Sequence, residues 1–353
     1  MTEAQGHQQV SLGLDTFGDV TIGDDDAPLP SAQVLRDVVE QAVLADQVGV
    51  DAIGLGEHHR DDYAISAPDV VLAHVAARTE RILLGTAVTV LSSDDPVRVH
   101  ERFATLDALS RGRAEVTLGR GSFTESFPLF GLELSDYEIL FAEKLDLFAT
   151  IRDAGGGPLA WQGTTRPPLR ADGLNPPYET GLRAWVGVGG SPESVVRAAR
   201  YRFPLMLAVI GGDPARFAPY ADLYRRANEE LGNAPLPIGV HAPGFVADTD
   251  EEARDRLFPH FKANRDRIGR ERGWPPASRI QFEQEVSHGA VFAGSPETVA
   301  RKIATTVRTL GLSRFDLKYS NGPQPHAELM RCIELYGTRV APRVRELLAD
   351  DTA

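Results

Sequence analysis

Glu57-His58-His59 sets a carboxylate and two imidazoles directly after the apolar run Val50-Asp51-Ala52-Ile53-Gly54-Leu55-Gly56. An imidazole titrates near neutrality, so this is where the chain could move a proton. A short apolar run between helical patterns reads as a parallel strand buried on both faces. The carboxyl ends of such strands are where sites are built. Successive strand residues point to opposite sides, so at most one of the two histidines faces the centre squarely. Adjacent histidines make a poor metal site, and no third ligand at helical spacing joins them, so no metal is expected. A hydrogen-bonded structural role and a proton-transfer role stand level for the pair.

Three further segments could hold a ligand. In Gly187-Val188-Gly189-Gly190-Ser191-Pro192-Glu193-Ser194 a strand passes through glycines into a helix. Free amides, bare backbone at Gly189 and Gly190, and hydroxyls at Ser191 and Ser194 would cradle a phosphate. A plain helix start, with Ser191 as N-cap and Pro192 at N1, reads equally from the same residues. No lysine follows the glycines, so this is neither a P-loop nor a dinucleotide fingerprint. In Leu118-Gly119-Arg120-Gly121-Ser122-Phe123 a permanent charge sits between glycines, which suits a phosphate. Arg120 and the Gly189 to Ser194 cradle could converge on one phosphate group. The small residues of Leu84-Gly85-Thr86-Ala87-Val88-Thr89-Val90 leave room for a flat ring, or for a closely packed helix.

These segments need a frame that brings strand ends together. Strand-like and helix-like stretches alternate. Val10 to Leu14, Val50 to Leu55, Ile82 to Val90, Arg113 to Leu118, Ala184 to Val188, Leu205 to Ile210, Ile238 to Val246 and Phe315 to Tyr319 read as eight strands. Ser31 is placed to cap the first helix, running to about Val48. Further helices are expected over Ser66 to Thr79, from Pro96 to a cap at Ser110-Arg111-Gly112, over Ser135 to Ala154, Pro296 to Leu310 and Ala327 to Leu348. Gly155 to Gly181 breaks the rhythm as an inserted hairpin or loop, and Gly273 to Gly294 as a second irregular stretch. Eight strand–helix units give an α/β (β/α)8 TIM barrel, one domain over residues 1–353, with inserted loops at the carboxyl face of the strands.

Composition narrows the functions. The 353 residues are 42% hydrophobic and 25% charged, enough for a sizeable core. A net charge of −13 repels polyphosphates, so no nucleic acid is expected. The lone Cys332 excludes an internal disulfide, and its helical setting marks a buried, inert thiol. No stretch spans a bilayer, and Met1 to Gln9 lacks a signal layout, so a cytoplasmic protein with no membrane partner is expected.

Taken together, Glu57-His58-His59, Gly85-Thr86-Ala87-Val88, Asp95-Pro96-Val97-Arg98, Ser110-Arg111-Gly112-Arg113, Gly119-Arg120-Gly121, Phe127 to Gly131 and the Gly190-Ser191 to Ser194 cradle resemble the bacterial luciferase-like family of flavin-dependent monooxygenases. Their order and spacing agree over nearly the whole chain. The resemblance implies that His58 is the catalytic histidine beside a flavin and that Ala87-Val88 is a non-proline cis peptide against its ring. It implies a cofactor site built from Glu57, Ala87, Val88, Arg120, Ser122, Gly189, Gly190, Ser191 and Ser194, with Phe123 beside Ser122 lining the pocket. Two positions depart. Gly119 stands where the luciferase catalytic subunit has a reactive cysteine, and Glu138 where it has a second phosphate arginine, so light emission is not expected.

The implied activity is a two-component oxygenation. Reduced FMN from a separate flavin reductase meets O2, and the resulting flavin hydroperoxide oxygenates a small organic substrate. The two irregular stretches would border the substrate entrance, His288 being either a substrate contact or a plain loop residue. A homodimer is implied through helices near the second and third strands. The alternatives are a deazaflavin-dependent dehydrogenase or reductase on the same barrel, and a flavin-binding barrel without turnover.

Overall fold

The computed structural model describes residues 9–178 and 181–349. The first eight residues, which carry most of the segment read for a leader, and Glu179 and Thr180 of the expected insertion lie outside them.

Short β-rich segments buried on both faces build a parallel barrel. Its strands are β1 (Ser11–Thr16), β2 (Ala52–Leu55), β3 (Leu83–Thr86), β4 (Thr89–Val90), β5 (Glu115–Gly119) and, after an insertion that holds β6 (Leu159–Trp161) and β7 (Leu169–Ala171), β8 (Arg183–Val188), β9 (Leu205–Ala208) and β10 (Ile238–Val246). A short β11 (Phe292–Gly294) extends β10, and β12 (Arg314–Lys318) lies between β10 and β1. Every pairing in the barrel is parallel, and a bridge from Leu84 to Ala114 joins β3 to β5. The third strand of the sequence reading is thus two segments, β3 and β4, broken at Ala87 and Val88. Eight strand positions remain.

The helices are α1 (Ser31–Gln47), α2 (Pro68–Ala76), α3 (Pro96–Ser110), a single turn α4 (Ser126–Leu129), α5 (Tyr137–Ala154), α6 (Pro192–Arg200), α7 (Ala218–Glu230), α8 (Asp250–Arg272), α9 (Arg279–Ser287), α10 (Pro296–Leu310), α11 (His326–Leu335) and α12 (Ala341–Ala349). Ser31 does not cap α1. Pro30 holds the N-cap position and makes no side-chain bond, so Ser31 is the first helical residue. Near the other end of α1, Asp46 accepts the backbone N–H groups of Glu80, Arg81 and Ile82 at 2.8–3.0 Å, which fixes the approach to β3. Asp95 caps α3 by accepting from Val97, and the helix ends on Arg111 and Gly112, both with positive φ, as the sequence predicts. The closing helix is interrupted by a π-turn over Tyr336–Val340. None of the helices described is long and apolar enough to cross a membrane.

The two insertions carry more regular structure than a plain loop. β6 and β7 form the expected antiparallel hairpin, which packs on α5, and Arg166 in its turn pairs with Asp95 at the start of α3. Its Trp161 joins Leu147 and Ile151 in a small satellite core and donates its indole N–H to Asp146 at 2.7 Å. The stretch from Gly273 to Gly294 is largely regular. A capping box between Ser278 and Gln281 starts α9, which buries Phe282 and Val286, and β11 follows.

The barrel interior is polar along one strand. Arg314, Asp316 and Lys318 alternate inward on β12, each less than a tenth exposed. Arg314 bonds Asp316 at 2.9 Å and Glu115 at 2.5 Å, and Lys318 bonds Asp19 at 3.0 Å. Burial pushes the Asp316 carboxyl up to about 6 against the pull of Arg314. Such a network is costly to break, since one missing partner leaves a buried charge.

Candidate active site

The strand β2 delivers Glu57, His58 and His59 to the carboxyl end of the barrel, and the backbone then ties them to the break in the third strand. Leu55 accepts from the Ala87 N–H at 3.0 Å, and Val88 accepts from the Glu57 N–H at 3.3 Å. The Ala87–Val88 peptide is cis, as the resemblance implies. Glycines make the room: a β-carbon on Gly54 would lie 3.0 Å from that of Ala87, and one on Gly119 would collide with Val88.

His58 faces the mouth. Its ring stacks on Tyr63 at 4.5 Å, meets the edge of Phe123 at 5.1 Å and lies 4.9 Å from Phe17. Nδ1 makes a long contact of 3.4 Å with Glu125. Burial raises the Glu125 carboxyl, but bonds to His58 and to backbone N–H groups outweigh it and hold it below the usual carboxylate range.

His59 turns the other way. It bonds Glu57 at 3.0 Å, and that bond, against the opposing effect of burial, raises the imidazole above its ordinary value. The second oxygen of Glu57 accepts the Val90 N–H at 3.0 Å. Glu57 therefore holds β4 and His59. Both line a cavity of about 280 Å³ behind the sheet, with Asp69, Asp94, Arg102 and Phe130. The alternation expected for the two histidines is what the strand end shows.

At the phosphate cradle, Ser191 caps α6 by accepting the Ser194 N–H at 3.3 Å, and its hydroxyl donates to Glu193 at 2.8 Å. Gly189 borders open space and Gly190 has φ +114. Arg120 lies close enough for its charge to act on Glu193, but its direct partner is Glu138 on α5. Backbone amides at a helix start, two hydroxyls and a nearby guanidinium suit a phosphate monoester such as that of FMN. Glu138 and Glu193 are the groups such a phosphate would displace.

The Ser122 hydroxyl is exposed, and its carbonyl accepts from Arg272 at 3.0 Å. Arg272 also lies over Phe123, while Arg60 bonds Glu271 and Arg267 bonds Asp62. The last turns of α8 therefore cover the His58 loop, a role expected of the stretch after it. His288 is an exposed cap of α9 in a groove against α10. Cys332 is fully buried, and burial pushes its thiol up to about 12, which agrees with an inert role.

Residues not singled out from the sequence complete the mouth. Phe17 and Tyr63 wall His58, Glu125 meets its ring, and His241 on β10 bonds Asp15 at 2.7 Å. A histidine inside an otherwise apolar strand was the available signal for the last pair.

The sequence profile described as luciferase-like monooxygenase matches residues 16–314. The 4-hydroxyprotoasukamycin monooxygenase of Streptomyces nodosus subsp. asukaensis is 27% identical over 345 residues, covering 92% of this chain and 90% of its own length. The uncharacterized protein y4vJ of Sinorhizobium fredii is 36% identical over 118 residues, so the chain spans only about a third of that relative (34%) and the match takes in 33% of this chain. Among solved structures, monooxygenase RslO1 from Streptomyces bottropensis superposes with a TM-score of 0.80 at 23% identity, covering 94% of this chain and 99% of that one. The oxygenating constituent of 3,6-diketocamphane monooxygenase from Pseudomonas putida, in complex with FMN, gives 0.76 at 18% identity over 95% and 99%. An F420-dependent secondary alcohol dehydrogenase gives 0.73 at 15% identity over 95% and 99%. With the profile covering most of its length and the barrel shared, this chain belongs to the luciferase-like monooxygenase family.

Proposed function

We propose that the protein is a flavin-dependent monooxygenase that takes reduced FMN from a separate reductase and uses O2 to oxygenate a small organic substrate. The observation that carries this reading is His58 set among Phe17, Tyr63 and Phe123 at the barrel mouth, with Ala87 and Val88 tied beside it by the Glu57 backbone bond to Val88. The FMN bound to the diketocamphane relative supports the choice of flavin.

Reduced flavin, when bound, supplies the electron pair that activates oxygen. The chain supplies the setting. Gly189, Gly190, Ser191, Ser194 and Arg120 would hold the phosphate, with Ala87 and Val88 against the ring and Ser122 and Phe123 at its border. His58, with Nδ1–H turned to Glu125, would present Nε2 as a proton acceptor or donor beside the reacting oxygen. Phe17, Tyr63 and Phe123 pack around the His58 ring and would keep water from it. A second copy of the chain would dock over the face where Val70, Leu129 and Phe130 are exposed beside the cavity behind His59. Sedimentation of the full chain reads that directly, and a monomer at high concentration would end the dimer proposal.

The activity is tested by supplying reduced FMN through a reductase, under isotopically labelled oxygen, with a panel of small organic compounds. Label in a product supports the reading. No label across the panel, together with anaerobic hydride transfer from reduced deazaflavin, would replace it with the dehydrogenase.

A further inference from the structure

We infer that His241, oriented by Asp15, is a second proton acceptor at the barrel mouth, and that the substrate is a phenol or enol bound there as its anion. The inference rests on the oxygenase reading and names the substrate class for the same site.

The register of β10 puts Gly239, His241 and Pro243 opposite Arg314, Asp316 and Lys318 of β12, all on the inner face. The outward neighbours Val209 and Ala242 are fully buried, whereas inward Ala208 at the end of β9 and His241 and Pro243 within β10 are partly open. The His241 side chain is thus reached from this side, 12% of it being exposed. Asp15 is 1% exposed, its Oδ2 lies 2.7 Å from His241 Nδ1, and its Oδ1 has no hydrogen-bond partner. A buried carboxylate on Nδ1 fixes the tautomer and leaves the Nε2 lone pair as acceptor.

The His241 ring lies nearly parallel to Phe17, 12° from it at 6.0 Å, and Phe17 is also the neighbour of His58. Two imidazoles thus flank one phenyl ring, over which the Lys318 ammonium also lies at 4.5 Å. The inward cations are already committed, Lys318 to Asp19 and Arg314 to Glu115 and Asp316. His58 attends the oxygen end, and His241 is left for the substrate.

The step is a proton transfer. The substrate O–H bond breaks, an N–H bond forms at Nε2, the electron pair stays on the substrate oxygen, and Asp15 balances the imidazolium. The anion is richer in electrons at the neighbouring carbons, which suits attack by an electrophilic oxygen. The aromatic walls favour a flat, conjugated hydroxyl compound.

The test uses the full chain without flavin. 4-Nitrophenol is titrated at a pH where the free compound is mostly neutral, and its anion absorbance is followed. 4-Nitroanisole, the same shape without the hydroxyl, is measured by equilibrium dialysis. The wild type should bind 4-nitrophenol about tenfold more tightly than 4-nitroanisole and develop the anion band. His241→Leu and Asp15→Asn should lose both the band and the preference. Equal affinities for the two compounds in the wild type would overturn the inference without any variant, as would an anion band that survives His241→Leu. Such a failure leaves the flavin reading standing. An intact nitrophenol response in a chain that binds no flavin would remove the flavin reading alone.

Discussion

The side chain of Val88 fills the volume that a β-carbon on Gly119 would need, and it also stands 3.2 Å from the β-carbon position of Gly187. Bulk on the cis pair and bare backbone on β5 and β8 are therefore one packing solution. The cysteine that the luciferase subunit carries at the Gly119 position has no room here while Val88 is present. Gly119→Ala should destabilise the fold by about 1–3 kcal/mol through overpacking. Adding Val88→Ala should recover most of that loss. Urea unfolding of both single variants and the double variant measures it, and strictly additive losses would show that the two residues do not share the space.

His58 is held by three aromatic rings and leans on Glu125 only at 3.4 Å. Removing its imidazole should leave FMN affinity within a few-fold. Coupled oxygenation should fall about 10²–10⁴-fold. Glu125→Gln should cost less, because the rings still orient the histidine. Unchanged coupled turnover in His58→Ala would remove its catalytic role.

Much of this arrangement could be read in the chain before any coordinates, and some could not. Helix α10 and strand β10 fall on the residues predicted, because Pro296 and Gly311 punctuate one and an apolar run broken only by His241 defines the other. Helix α9 was hidden among Gly273, Pro275 and Pro276, with only Phe282 and Val286 buried to mark its inner face. His58 and the cis pair were legible through their neighbours in sequence. Asp15 and His241 were not, since 226 positions separate them and only the run β1–β12–β10 in the closed barrel brings them together.

Arg120, near the phosphate cradle, is paired with Glu138. Glu138→Ala should free it and tighten FMN by up to about fivefold, the scale of an exposed ion pair. Riboflavin, which lacks the phosphate, should bind with unchanged affinity. Arg120→Ala should bring the FMN affinity toward that of riboflavin. Equal responses of the two flavins, measured by fluorescence quenching, would place the phosphate elsewhere.

His59 gains its raised pKa in the folded state from Glu57. A folded value above the unfolded one means that the bond's contribution is full below the unfolded pKa, about 6.5, and is lost as pH rises through the folded value. The stability difference between wild type and His59→Gln should therefore be largest near pH 6 and shrink toward about pH 8.5. Thermal unfolding at the two pH values reads it, and a difference that grows with pH would contradict the sign.

The most direct measurement of the central claim is anaerobic titration of the full chain with reduced FMN and, separately, with reduced deazaflavin, followed by mixing with oxygenated buffer. The account predicts saturable binding of reduced FMN and slower, altered reoxidation of the bound flavin compared with free FMN. Saturable binding of the deazaflavin with none of FMN, or reoxidation indistinguishable from that of free FMN, would contradict it.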